Sequence, residues 1–407
     1  MSAAVALLRE PATVRARCHA LLDLGEAGRL PHIAVHPERL GVAADAVVRT
    51  IRESYPDLAI PYHARWRHFA VGGRDRWRSL ALTRAGTPAW ELARIRVDLC
   101  VVSVLLDAGA GPRWRYRERA TGQVLARSEG LAVASFEAFR AGLFSADPAQ
   151  PLRADADGLE AVDAGALARA FQVDGGNPLD GLEGRAALLR SLGAALRARP
   201  DLFGALPPRP GRLLDRLSDD AGEDGVTARA ILGALLDGLA PIWPGRTALD
   251  GHNLGDVWPH PLAAPEGPAP GLVPFHKLSQ WLAYSLVEVF EEAGIVVTGL
   301  DALTGLPEYR NGGLFLDAGV LRLRDPALAA APLAPGDPAV VEWRALTVAL
   351  LDRVADAVRS QLGVDAAAMP LARVLEGGTW AAGRRLARER RPDGGPPLRI
   401  VSDGTVF

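Results

Sequence analysis

The sequence predicts a mainly helical, compact fold with a few short strands, and three observations carry that expectation. Apolar residues recur at spacings of three and four along most of the chain. Runs with strand period are few and short, with no alternation of strand and helix and no internal repeat. Hydrophobic residues make up 49% of 407, ample for a large core. In chain order, helical spacing covers Ser2–Leu24, Pro37–Ser54, Pro88–Leu106, Ser128–Leu143, Gly184–Ala198, Val226–Leu239, Val273–Ala293, Ala339–Leu362 and Pro370–Arg391. Gly294 follows Ala293, where a left-handed glycine closes a helix. Strands are expected at Gly313–Asp317, Val320–Arg324 and Ile400–Ser402. The stretch 146–180, rich in Ala, Asp, Gly and Pro, reads as a surface excursion or a connection. The expectation is therefore one unit over 1–407, or two lobes, 1–145 and 181–407, joined there.

A formal net charge of −2 gives no electrostatic case for nucleic acid. No apolar run reaches the roughly 20 residues that span a bilayer. Met1–Glu10 lacks the basic start of a signal peptide, so a cytoplasmic location is expected. Cys18 and Cys100 cannot build a disulfide framework or a zinc site by themselves, and both sit in apolar periodic stretches that suit core thiols. There is no Walker loop, nucleophile elbow or metal-binding helix motif, so neither metal nor cofactor is expected. More informative is the base composition: of 46 basic residues, Lys277 alone is lysine. Where arginine serves everywhere else, a retained lysine suggests a need for a compact charge with a tunable pKa.

Five clusters carry possible chemistry. Tyr62–Phe69 packs His63, His68, Arg65 and Arg67 among aromatics, which suits either sugar and phosphate contacts or a structural turn. An apolar helix runs into Asp107 and a glycine turn reaching Trp114, where Asp107 would hold ribose hydroxyls or simply end the helix. Arg127 opens the next helix, a place for an anion. Leu249–Trp258 is a polar loop in which His252 and Asp256 could move protons, or a solvated loop. The strongest cluster joins Phe275–Leu282 to Leu303–Gly313. Lys277, Trp281, Tyr284 and Glu288 fall on one helical face. A partly buried Lys277 wants a carboxylate, with Glu308 first and Asp256 second, and Tyr309 and Arg310 follow directly. Glu342, near the start of a very apolar helix, either compensates the helix dipole or orients Arg310 or Lys277. The apolar end Ile400–Phe407, with a turn at Asp403-Gly404, is expected to be ordered.

These long stretches, Tyr62–Phe69, Leu105–Tyr116 with Arg127–Ala132, Phe275–Leu282, Leu303–Gly313 and Ile400–Phe407, resemble the family of the fourth uracil-catabolism protein of fungi and its bacterial relatives. The resemblance covers nearly the whole chain. It implies a part in a reductase-independent breakdown of uracil through a ribosylated urea. A fainter similarity, in the order Lys277-x-x-Gln280, then Leu303-Thr304 leading to Glu308-Tyr309-Arg310, then Glu342-x-Arg344, links the chain to queuosine-salvage nucleoside glycosylases. It implies a DNA-glycosylase-like fold, with Glu308 in the catalytic role, Tyr309 and Lys277 lining the site and Glu342 supporting. Together the resemblances imply an N-ribosyl hydrolase acting on a small ribosylated substrate, free or as its 5′-phosphate. The rival expectation is a non-catalytic nucleotide-binding or scaffold protein of the same pathway.

Overall fold

A computed structural model describes residues 2–221, 224–245 and 247–401. The protein is mainly helical, with short strands arranged in pairs. No helix among the described residues is long and apolar enough to cross a membrane. The chain divides into two compact units. The first comprises Met1–His63, Gly245–Gln280 and Gly299–Val401, and the second Ala64–Pro244 and Trp281–Thr298. Residues 146–180 lie wholly inside the second unit rather than between lobes. Their aspartates start short helices there: the Asp155 and Asp163 side chains accept from the amides of Gly158 and Ala166. Such residues cap helices as readily as they make linkers.

The helical periodicity is realised with adjusted ends. Pro11 splits the first stretch into Ala3–Arg9 and Pro11–Glu26, as expected of a residue favoured only in a first helical turn. Leu40–Ser54, Ala89–Leu105, Arg127–Arg140, Leu182–Ala198, Ala228–Leu239 and Pro338–Leu362 follow the spacing closely. The stretch read as helix from Val273 is different. Leu272–Pro274 is a strand pairing antiparallel with Val257–Pro259, and the helix runs over Lys277–Glu292. Between them His276 takes a positive φ of 49°, a sharp break that periodicity does not reveal.

In the first unit the helix Pro338–Leu362 is the core element, with Ala339–Leu351 buried throughout. It packs on Pro11–Glu26, Leu40–Ser54 and Tyr309–Asp317. Gly313–Asp317, expected as a strand, belongs to this last helix. Two successive glycines weaken a helix by about 1 kcal/mol each. Close packing offsets that cost: a Cβ on Gly312 would stand 2.6 Å from the Trp343 ring. The Trp343 indole also donates to the Gly312 carbonyl at 3.0 Å. Farther on, the helical stretch Leu371–Arg390 contains a π-turn over Leu375–Thr379, where Gly377 and Gly378 meet Ile51, Ile60 and Val47. The strands Leu321–Leu323 and Arg399–Ile400 match two sequence expectations in place, and pair with Ile33–Val35 and Pro332–Leu333. The expected order of Ser402–Phe407 lies outside the described residues.

The second unit is built on Ala89–Leu105, Arg127–Arg140 and Leu182–Ala198. Asp98, fully buried in it, accepts from Arg209 and from the amides of Gly211 and Ala154. Cys18 in the first unit and Cys100 in the second are both buried free thiols whose pKa burial pushes up, the second to about 12.

Candidate active site

In the first unit, three elements meet through a chain of side chains. Arg344, buried in Pro338–Leu362, donates from both terminal nitrogens to Asp256, at 2.7 and 2.8 Å. The Arg344 guanidinium also stacks 4.1 Å from the Phe275 ring centre. Asp256 further accepts from the Trp258 indole at 2.7 Å and from the backbone amide of Lys277 at 3.0 Å. It thereby holds the first turn of the Lys277 helix. Burial opposes its charge, but Arg344 overrides that penalty and keeps the carboxyl well below the usual range.

One turn on, Gln280 is fully buried and forms a reciprocal clasp with Thr304. Its carbonyl oxygen accepts from the Thr304 amide at 2.8 Å, and its amide nitrogen donates to the Thr304 hydroxyl at 2.6 Å and to the Phe275 carbonyl at 3.1 Å. From another direction Arg15 donates to the Leu303 carbonyl at 2.8 Å. The segment leading to Glu308 is thus fixed against the start of the Lys277 helix.

Glu308 stands at the N-cap of Tyr309–Asp317. Its two carboxylate oxygens accept separately from the amides of Arg310, at 2.8 Å, and Asn311, at 2.5 Å. Asn311 is itself held by the Leu306 carbonyl and by the Thr379 hydroxyl, which donates to it from the π-turn. The residue keeps part of its surface accessible. Yet enough protein surrounds the carboxyl that burial pushes its pKa up, against the two amides and the positive charge of Lys277. Glu308 is thus a part-accessible carboxylate whose charge burial opposes. Tyr309 is half-buried, and the buried Arg310 guanidinium lies 4.9 Å from its ring centre while donating to the Gly394 carbonyl at 2.8 Å.

The second unit holds its own polar cluster. Arg65 is fully buried and pairs with Asp107 at 2.8 Å. Ser128 donates to both Asp107 oxygens, at 2.6 and 2.7 Å, and the Arg65 Nε donates to Ser103 at 2.8 Å. The guanidinium sits between the Phe69 and Trp281 rings, 5.9 and 5.5 Å from their centres. Arg185, whose pKa burial lowers to about 10, donates to the carbonyls of Leu106, Ala108 and Gly109 and so fixes the glycine turn after Asp107. Arg127, half-buried, begins its helix at a φ of +53°, an uncommon conformation for a side chain of that size.

The structure thus brings Lys277, Glu308, Tyr309, Arg310, Asp256 and Gln280 into one framework, and places Asp107 and Arg127 in the second unit. Other expected contacts are replaced. Trp114 is fully buried, with its indole donating to the Phe171 carbonyl at 3.0 Å, so it is core and not a ligand contact. Glu342 is fully buried and accepts from the amides of His32 and Ile33 beside His260, 3.3 Å away, instead of orienting Arg310 or Lys277. The Gln280 amide spends its hydrogen bonds on Thr304 and Phe275, which suits positioning rather than substrate contact. His63 pairs with Glu376 at 2.8 Å. His252 lies in the hairpin Ala248–Leu249/His252–Asn253, where Asp250 and Gly251 take positive φ. That Asp-Gly pair is a hairpin signal that sequence reading took for an open loop. Arg344 and Thr304 stand in the motif quoted for the fainter resemblance but were given no role there; for Arg344 the available signal was a charged residue inside a very apolar helix.

The chain resembles two curated proteins along its length. It is 40% identical to "Protein urg3" of Schizosaccharomyces pombe, over 99% of each chain. It is 39% identical to "Uracil catabolism protein 4" of Lachancea kluyveri, over 93% of each. A family model described as "Protein of unknown function (DUF1688)" matches residues 7–407. Sequence identity and family match agree over nearly the full length, and the chain belongs to the DUF1688 family.

Proposed function

We propose that this protein is a cytoplasmic hydrolase of uracil catabolism that cleaves the bond between ribose and nitrogen in a ribosylated urea, free or 5′-phosphorylated. The products are urea and ribose or its phosphate. The name of the Lachancea relative supports the pathway. The observation that carries the chemistry is Glu308, part-accessible and fixed through both carboxylate oxygens at the start of its helix. As the ribose–nitrogen bond breaks, positive charge develops on the ribose carbon, and a fixed carboxylate stabilises it. Each Glu308 oxygen accepts one backbone amide, which leaves a second lone pair on each for that carbon or for an attacking water. Asp256, catalytic in the sequence reading, is tied up by Arg344 and ionised, so it acts by holding the Lys277 helix in place. The helical first unit is compatible with the DNA-glycosylase-like arrangement expected from the fainter resemblance.

Purified protein incubated with ribosylurea and, separately, with its 5′-phosphate should release urea from at least one of them. If calorimetry shows binding of either compound and no urea forms, the protein is a binding component and the hydrolase assignment fails. Lys277→Arg tests the retained lysine. Arginine keeps the charge but is longer and planar, so turnover should fall on the order of 100-fold, corresponding to about 2.7 kcal/mol. Turnover equal to the parent would remove Lys277 from the machinery.

A further inference from the structure

We propose, resting on the hydrolase reading, that Asn311 and Thr379 are positioning residues for Glu308, with the π-turn Leu375–Thr379 delivering the Thr379 hydroxyl. Glu308 is held at two points, by the backbone amides of Arg310 and Asn311. Both of those residues are gripped from behind by one helical stretch. Thr379, at the last position of the π-turn, donates to the Asn311 side-chain oxygen at 2.9 Å. One turn on, Gly383 lies against the Arg310 carbonyl, so closely that a Cβ there would collide with it. Asn311 also reaches forward. Its side-chain nitrogen donates to the Leu306 carbonyl at 3.1 Å, the same oxygen that accepts the Glu308 amide at 2.9 Å. One amide side chain thus ties together the segment entering Glu308, the helix leaving it and the π-turn.

Asn311 and Thr379 are fully buried. A buried polar side chain costs stability unless its hydrogen bonds are made, and apolar residues of similar size would fill the same space. What apolar residues could not do is fix direction. The oxygen and nitrogen of Asn311 each engage one specific partner, so the side chain has one orientation and the backbone amide of the same residue is fixed with it. π-turns are rare within helices and often mark functional sites. Gly377 and Gly378 seat this one against Ile60 and Val47, more closely than a side chain would permit. In a regular α-helix one residue of offset is about 100° of rotation, so the extra residue sets which way Thr379 faces relative to those glycines.

Positive charge appears on the ribose carbon only as its bond to nitrogen breaks. The placement of Glu308 therefore acts on the transition state and hardly on substrate binding. A misaimed carboxylate shows in kcat, with KM little changed. A slackened Asn311 amide also withdraws a hydrogen bond from the ionised Glu308. That favours the protonated form, so the acid limb of the rate profile moves to higher pH.

Thr379→Val and Thr379→Ala remove the hydroxyl, one keeping its volume and one not, while Thr379→Ser keeps the hydroxyl and loses a buried methyl group. Steady-state urea release from ribosylurea and its 5′-phosphate by the full-length protein, with melting temperatures measured alongside, separates them. Thr379→Val and Thr379→Ala should lower kcat about 10-fold, with KM unchanged within about 2-fold and the acid limb shifted to higher pH. Thr379→Ser should melt below the parent yet keep kcat within about 2-fold. A purely structural Thr379 would give losses of kcat that follow melting temperature and an acid limb that stays in place. That result, or Thr379→Val turning over at the parental rate, overturns the positioning role and leaves the hydrolase standing. A fall in Thr379→Ser equal to that in Thr379→Val overturns it too. Absence of urea from both compounds with the parent protein removes the hydrolase reading, and the positioning role with it.

Discussion

Glu308→Gln lowers urea release by about 100- to 1,000-fold while leaving the protein folded. The substitution keeps the shape and removes the charge that faces the ribose carbon. A glutamine also presents its amide nitrogen, a donor, to one of the two backbone N–H groups that meet a carboxylate oxygen in the parent, which costs a cap interaction of about 1 kcal/mol. The second effect runs the other way. Because burial raises the folded pKa of Glu308, the ionised group penalises the fold above that raised value, and the penalty vanishes below the unfolded value. Removing the charge relieves it at neutral pH. The two effects offset, so the melting temperature should stay within about 5 °C of the parent. Relative to Glu308→Gln, the parent should gain stability as pH falls through the raised pKa. Thermal melts across that range check the sign, and steady-state urea assays check the rate. Parental turnover in a folded variant would remove Glu308 from the chemistry.

Arg344→Met carries the other large effect, on stability. It deletes both guanidinium bonds to Asp256 and leaves a largely buried carboxylate without its counter-charge. Breaking such a pair from one side costs about 3–5 kcal/mol. Denaturant titration at neutral pH should show that loss, and Arg344→Met combined with Asp256→Asn should recover part of it. The pH dependence discriminates further. In the parent, the depressed pKa of Asp256 contributes stability above its unfolded value, lost as pH falls through the folded one. With Arg344 removed, burial becomes the dominant influence and raises the folded pKa, so the contribution changes sign and mild acid narrows the gap between variant and parent. A loss under about 1 kcal/mol, typical of an exposed pair, would show that this ion pair does not hold the Lys277 helix.

Helix existence and order were readable from apolar spacing because the long helices bury apolar residues three and four positions apart. The period does not encode where the backbone breaks. A left-handed His276 starts the Lys277 helix four residues later than its apolar pattern, and a Pro11 start divides another. Gly313–Asp317 read as a strand, although it lies in the helix Tyr309–Asp317. The approach of Trp343 to Gly312, and of Pro397 to Gly313, shows why small residues stand there inside a helix.

The sequence alone determined the helical class, the singular Lys277 and the proximity in chain order of Glu308, Tyr309 and Arg310. It could rank Glu308 as the partner of Lys277 because a part-buried cation needs a nearby carboxylate. Tertiary structure decided how each carboxylate is used. Asp256 and Glu308 have the same chemistry, but one faces a bidentate arginine and is held ionised, while the other faces backbone amides and a single lysine and has its pKa raised by burial. Likewise Trp114 and Glu342 are residue types suited to ligand contact, and only packing shows that their polar groups are satisfied inside the core. Burial and partner geometry arise from contacts between residues tens to hundreds of positions apart, and those contacts set the pKa and availability of a side chain.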